Sequence, residues 1–460
     1  MRDPRSIVVV LCALVLMCWC APGAGAQSLG PGTRDPIDSD IRPIDPNNFR
    51  CIFLGDSQIS APATTRIRVQ MRRWDIPVAG AVFAFDFSSA GQDVEYNIDG
   101  VDYIRSRIIG NPGGWSGGGP RDFMNYRGYE WLFVQDVEDT RICLARFRLY
   151  NAFGNTVPWR TNWITTGDPL VVRIALRTTP NTVPLIETRA LRGQVDDEAN
   201  KVIHTLNQDY GYQIIEQPLD PSFFPTTDGV GVAFYLPEGS VESYGDTLQV
   251  LSVAVMRTDR DGNLLPGMVV GAQAYPGWSI DNHLDLTDAS REALIDLIDA
   301  NALMVMLGHN TEPAGSDVDA MYLDLIGRWM DAFNSTGRPR PSNIHVVPWM
   351  IGVDNAGVRL RDMLDAMSDA AEVYKGAVVS LLGHFHGVTP SEYDPARYQL
   401  DGLQVHPLNS STARNLSEDL EALIFSNPRI VRPTDNPARY MNEPASEPAQ
   451  HDWREGTTSP

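Results

Sequence analysis

The spacing of apolar positions changes rhythm twice along this chain. Cys51-Ile52-Phe53-Leu54 is a short apolar run, too short for a helix, that stops at Gly55-Asp56-Ser57 and so predicts a strand delivering a serine to a turn. Ile67, Met71 and Trp74 follow at helical spacing and predict a helix packing one face back on that strand. From about 80 to 265 the pattern is one of strands and turns. Ile98-Asp99-Gly100-Val101 is a hairpin signal, Leu170 to Leu176, Val230 to Leu236 and Leu248 to Met256 have strand character, and Asp259-Arg260-Asp261-Gly262 is a further turn. From 268 onward the rhythm becomes strand, helix, strand. Val269 to Ala274, Leu303 to Leu307, Ile344 to Ile351 and Ala377 to Leu382 read as strands. Between them lie a helix begun near Thr287 with Leu294, Leu297 and Ile298 on its apolar face, a helix with Met321, Leu325, Trp329 and Phe333, and a third from about 357 to 374. A last helix, about 410 to 425, carries Leu416, Leu420 and Leu423. This alternation predicts a parallel sheet with helices on both faces.

The domain plan follows from these changes. Residues 49–79 and 266–426 are expected to be two parts of one α/β domain, and 80–265 an all-β, sandwich-like insertion between its first and second strands. Arg2 and Arg5, the apolar run Ile7 to Leu16 and Ala24-Gly25-Ala26 have the form of a secretory signal peptide over 1–26, cleaved near Ala26. The run is shorter than the roughly 20 residues a spanning helix needs. The expected product is therefore exported, secreted or periplasmic, and free of the membrane after cleavage. Residues 27–48 and 427–460, rich in Pro and polar residues without periodicity, are expected to be disordered.

Composition narrows the partners. A chain of 460 residues with 43 % hydrophobic positions has material for a large core and more than one domain. Its formal net charge of −21 disfavours nucleic acid and anionic membrane surfaces and leaves neutral substrates favoured. Of five cysteines, Cys12, Cys18 and Cys20 lie in the signal region, leaving Cys51 and Cys143. An oxidising compartment permits a bridge between these two, but spacing alone does not bring their Cα atoms within reach, so the pairing stays open. The early part of the β-rich stretch holds Trp115, Trp131, Trp159 and Trp163 near a Gly-rich loop at 113–119. Flat aromatic faces serve both as core and as platforms for sugar rings, core being the commoner use.

Three later stretches answer the Ser57 turn. Tyr275-Pro276-Gly277-Trp278-Ser279 and Leu307-Gly308-His309-Asn310-Thr311 each follow an expected strand, and Asp401-Gly402-Leu403-Gln404-Val405-His406-Pro407 precedes the last helix. A Ser, a Gly, an Asn and an Asp…His pair, in that order and at loops, are the parts acyl transfer needs. A serine hydroxyl requires an imidazole to take its proton, the imidazole a carboxylate to orient it, and the oxyanion a set of fixed donors.

With these four blocks the chain resembles the SGNH hydrolase superfamily, the GDSL-type esterases, over about 49–75 and 267–425. The resemblance implies a flavodoxin-like, three-layer α/β fold with a parallel sheet and no cofactor. It implies Ser57 as nucleophile, His406 as base and Asp401 as its orienting partner. The oxyanion donors would be the N–H groups of Ser57 and Gly277 and the side-chain amide of Asn310. The chain departs from the family pattern in two places. Asp401 stands five positions before His406 where the family usually has three, and Thr311 follows Asn310 where the family has Asp. His384 and His386 compete with His406 for the base role and, with His309 and Trp278, are candidates to line the substrate site. No metal is expected, since nothing further supports a ligand set around His384 and His386.

The function expected is that of an exported serine esterase removing an acyl group, acetyl foremost, from a carbohydrate or similar neutral ester. Substrates would be small-molecule or polysaccharide esters. Two other readings use the same residues: transfer of the acyl group to a polysaccharide hydroxyl, and a non-catalytic carbohydrate-binding protein on a degenerate hydrolase scaffold. The sequence fixes no oligomeric state.

Overall fold

A computed structural model describes residues 48–56, 80–82, 94–98, 101–109, 115–116, 129–132, 137–138, 143–150, 169–192, 195–220, 230–243, 245–274, 277–308, 310, 317–347 and 360–380. The expected signal peptide, the leader up to residue 47, the first helix, the last helix and the tail lie outside them. In chain order the strands begin with β1 (Arg50–Gly55), β2 (Gly80–Val82), β3 (Val94–Ile98), β4 (Val101–Ile109), β5 (Trp115–Ser116), β6 (Tyr129–Leu132), β7 (Val137–Glu138) and β8 (Cys143–Tyr150). Next come β9 (Leu170–Thr178), β10 (Leu185–Arg192), β11 (Val195–Asp196), β12 (Val202–Thr205), β13 (Gly211–Leu219), β14 (Val230–Tyr235), β15 (Val241–Glu242) and β16 (Thr247–Arg257). Strands and helices then alternate: β17 (Val269–Ala274), α1 (Ile280–Leu284), α2 (Asp288–Ile298), β18 (Ala302–Met306), α3 (Val318–Ser335), β19 (Ser342–Val347), α4 (Leu360–Tyr374) and β20 (Ala377–Ser380).

The alternating part forms the expected parallel sheet, in the order β17-β1-β18-β19-β20. This is the doubly wound order in which the first strand sits between the second and third. Every residue of β1 is buried, because a strand flanked on both sides and covered on both faces has no solvent side, and the sequence answers with a continuous apolar run. Ile52 lies opposite Gly271 on one side and Leu303 on the other. Cys51 is a free, buried thiol, which settles the open question of a bridge to Cys143 against it. Burial in this apolar layer pushes its pKa well up.

The helices begin where capping side chains allow. Thr287 accepts the Ser290 N–H at the start of α2, and Asp317 accepts the Ala320 N–H at 3.0 Å at the start of α3. On α2 the buried positions include Ala293 and Ile295 as well as the expected Leu294, Leu297 and Ile298. A helix apolar over more than one face is packed on more than one side. Here the second side is β-rich, since α2 contacts β9, β13 and β16 as well as β1. Val171, Ala175, Leu251, Ala254 and Met256 of β9 and β16 thus share one core with Leu54, Leu303, Tyr322 and Trp329 of the α/β part.

The segment between β1 and β17 forms separate antiparallel sheets. One has the order β11-β10-β14-β8-β4-β3 with β12 on β10, another the order β13-β9-β16-β6-β5 with β2 on β16, and β15 pairs β7. The Asp99-Gly100 signal marks a hairpin, with Ile98 opposite Val101. At the Asp259 turn, the carboxylate accepts the N–H groups of Asp261 and Asn263 and the Asn263 side-chain amide. Between the sheets, Thr188 of β10 donates to the Gln217 side chain of β13 at 2.8 Å.

A charged strap joins this part to the amino end of the parallel sheet. Arg173 Nη1 of β9 donates to the Asp296 and Leu297 carbonyls, at 2.7 and 2.8 Å, where α2 ends, a favoured place for a cation. Tyr212 of β13 donates to Asp296 at 2.6 Å, Arg338 pairs with Asp296 at 2.9 Å and with Asp299, and Arg50 pairs with Asp299.

Candidate functional site

Open α/β sheets bind their ligands at the carboxyl ends of the strands, where connections leave a central strand in opposite directions. In this sheet β1 is that strand, and three loops meet at its carboxyl end. One continues β1 through Asp56, which is fully buried. The second follows β17 and carries Gly277, Trp278 and Ser279 into α1. The third follows β18 and carries Leu307, Gly308 and Asn310.

Side-chain hydrogen bonds fasten these loops to one another. His283 of α1 is entirely buried, and its Nε2 lies 2.9 Å from the carbonyl of Gly55, the last residue of β1. That carbonyl is an acceptor only, so Nε2 carries the proton and donates. Burial pushes the His283 pKa down to about 4; the Gly55 hydrogen bond opposes this and nearby Arg291 adds to it. The ring is therefore neutral at ordinary pH. Trp278 meets it edge to face, with centroids 4.8 Å apart and planes at 87°. Asn310 Nδ2 then donates to the Trp278 carbonyl at 2.8 Å. An amide NH₂ has two donors, so this contact leaves the second N–H of Asn310 to serve another acceptor.

Two glycines shape the loops. Gly277 has φ +82° and is exposed, with nothing within 4 Å of where a Cβ would stand. Its left-handed backbone, rather than crowding, calls for glycine. At Gly308, φ is +108° and a Cβ would come within 2.9 Å of Met363 Cγ on α4. Conformation and space both require glycine there, and the turn brings the chain across α4 toward Asn310.

Of the residues expected at the site, Gly277, Trp278 and Asn310 are described and converge at one end of the sheet. Trp278 is only 3 % exposed and belongs to the core, where its ring supports His283 and its carbonyl receives Asn310. Ser57, His309, His384, His386, Asp401 and His406 lie outside the described residues, and Ser57 is the second residue after Gly55 in the chain. Helix α1 and His283 escaped the sequence reading. A five-residue helix leaves too little periodicity to detect, and the one available signal was a histidine six residues after Gly277. Among the described residues no group of three or more His, Cys, Asp or Glu is arranged to hold a metal ion. No described helix is long and apolar enough to cross a membrane.

No protein-family model matches the chain, and no curated protein matches it. Among solved structures it is similar to one of a peptidoglycan O-acetylesterase, at 13 % identity and a TM-score of 0.52, over 83 % of this chain and 92 % of that one. Two other likenesses are looser. A Bacillus subtilis protein aligns over 69 % of this chain and 87 % of its own with a TM-score of 0.29 at 13 % identity. A family two carbohydrate esterase from Cellvibrio japonicus aligns over 70 % and 98 % with a TM-score of 0.23 at 9 % identity. The first of these likenesses shows a shared fold.

Proposed function

We propose that this protein is an exported serine esterase that removes acetyl groups from a neutral carbohydrate. The observation that carries the reading is the fastening of three loops at the carboxyl end of β1, with His283 on Gly55 and Asn310 on Trp278. It supports a site at the carboxyl end of β1, where open α/β sheets bind their ligands, drawing on the Gly277 turn and the Asn310 amide beside the strand that leads to Ser57. The neighbour of the same fold is a peptidoglycan O-acetylesterase, and the net charge of −21 suits an uncharged substrate better than an anionic one.

In this reading His406 takes the Ser57 proton as Oγ attacks the ester carbonyl. The carbonyl π electrons move onto its oxygen, and the N–H groups of Ser57 and Gly277 and the Asn310 amide receive that oxyanion. Collapse breaks the bond to the sugar oxygen, which leaves with the proton from His406. Water, deprotonated by His406, then attacks the acetyl-serine and releases acetate and Ser57 by the same route. Asp401 holds the imidazole tautomer and stabilises the imidazolium, and each oxyanion donor is worth roughly 3 to 4 kcal/mol of barrier.

The test is hydrolysis of p-nitrophenyl acetate by the wild type beside Ser57→Ala and His406→Ala. Both variants should lose about 10³-fold or more in kcat while remaining folded. A wild type no faster than Ser57→Ala rules hydrolysis out.

A further inference from the structure

Helix α1 is a stub that does not stand by itself. Five residues make barely more than one turn, far short of the length at which a helix is stable alone. The surroundings hold it instead. Arg291, itself fully buried, donates from Nη2 to the carbonyls of His283 and Leu284 at 3.3 and 3.1 Å, and Arg328 Nη1 reaches Leu284 O at 3.1 Å. At the other end the Ser279 N–H donates to Asn282 Oδ1 at 3.0 Å. With both ends pinned, the one polar side chain that α1 sends into the protein is His283.

Histidine carries a cost at this position as well as a bond. A neutral ring that donates from Nε2 keeps Nδ1 as an acceptor, and Nδ1 is buried with no hydrogen-bond partner among the described residues. Leaving such a group unsatisfied costs stability; an apolar ring of similar size avoids that cost but takes the donor away from the Gly55 carbonyl. What histidine supplies and phenylalanine does not is the donor to Gly55. Beyond the β1–β17 ladder, which ends with Gly55 opposite Ala274, that bond is a side-chain link between the end of β1 and the loop carrying Gly277, and the ring's other contact, Trp278, passes the link to Asn310.

We propose that His283 is a positioning residue: its Nε2–H clamps the end of β1 to the Gly277–Ser279 loop and so sets the relative placement of the Ser57 turn and the Gly277 oxyanion donor. The role rests on the esterase reading above. His283 touches no reacting atom; it acts through backbone. Misplacement of reacting groups by about 1 Å can cost on the order of 10²-fold in rate, so loss of the clamp appears in kcat and spares KM.

The experiment compares His283→Phe, which fills the space without a donor, with His283→Gln, whose amide restores one. Kinetics on p-nitrophenyl acetate are measured beside peptide-level hydrogen exchange over 50–56 and 277–284. His283→Phe should lower kcat about 10²-fold with KM within about twofold and speed exchange in both peptides. His283→Gln should recover most of the loss. Equal kcat losses in the two variants, or unchanged exchange in His283→Phe, overturn the proposal. A wild type without Ser57-dependent turnover sinks the esterase reading alone, and the exchange arm then decides the clamp. If His283→Phe does not fold, the ¹⁵N-labelled imidazole of the wild type carries the test. A neutral ring protonated at Nε2 at pH 7 supports the clamp, and one protonated at Nδ1 overturns it.

Discussion

The two ends of the parallel sheet are held by opposite kinds of chemistry. At the amino end, charges do the fastening: Arg50, Arg173 and Arg338 engage Asp296, Asp299 and the last carbonyls of α2, and through Arg173 and Tyr212 they tie in the β-rich part. At the carboxyl end the hydrogen bonds that join one loop to the next are neutral and directional, an imidazole N–H on Gly55 and an amide N–H on Trp278, while Arg291 and Arg328 hold the last carbonyls of α1. Ion pairs tolerate changes of geometry and are screened by salt. Hydrogen bonds to a single carbonyl fix direction as well as distance. The end proposed to carry the chemistry joins its loops by the second kind, and the end that joins two parts of the molecule uses the first.

Acid is expected to have the largest effect on stability, through the buried neutral histidines. Burial pushes His283 down to about 4 and His345, buried on β19 with Tyr322 Oη 3.1 Å from its Nδ1, down to about 3. Unfolding returns each to about 6.5, so the unfolded chain binds more protons as pH falls below that value. Stability contributed by the neutral rings is complete above about pH 6.5 and is lost as pH falls toward the folded values, by up to about 1.4 kcal/mol per pH unit for each histidine. Burial also pushes His204 of β12 down to about 4, so urea midpoints measured from pH 7.5 to 4.5 should fall accordingly, and His345→Gln should cut the slope by about a third. An unchanged slope in that variant means that other groups govern the acid limb.

Breaking the charged end has a smaller expected effect. Arg338 is partly buried, with 21 % of its side chain exposed, and it serves two carboxylates. Arg338→Ala should cost about 1–2 kcal/mol, between the values for exposed and buried pairs. Its kcat should stay within about twofold of wild type. A large loss of kcat with a small loss of stability would mean that the strap reaches the site, contrary to the division of labour drawn here.

How much of this was legible beforehand follows the same division. The strands of the parallel sheet and helices α2, α3 and α4 announced themselves because each buries a continuous run or a full stripe. Thr287 was read as the start of α2 and proves to be its N-cap. Gly277 and Asn310 were chosen for their place after expected strands, and they lie together at the carboxyl end of β1. Ala293 and Ile295 were missed as core because periodicity describes a helix with one buried face, and α2 has a sheet against each of two faces. The strap was invisible: Arg173 and Asp296 are far apart in sequence, and nothing in either neighbourhood marks the other. His283 was hidden for the same reason, since its partner is the backbone of Gly55, which has no side chain to leave a trace.

The central claim is that Ser57 is an activated nucleophile, and covalent labelling tests it most directly. Wild-type protein is treated with a fluorophosphonate, digested and mapped by mass spectrometry, beside His406→Ala. The account predicts a single adduct on Ser57 in the wild type and about 10²-fold slower labelling or none in His406→Ala, because the hydroxyl is inert without its base. An unlabelled Ser57 in folded wild-type protein, or an adduct that forms equally fast without His406, would contradict it.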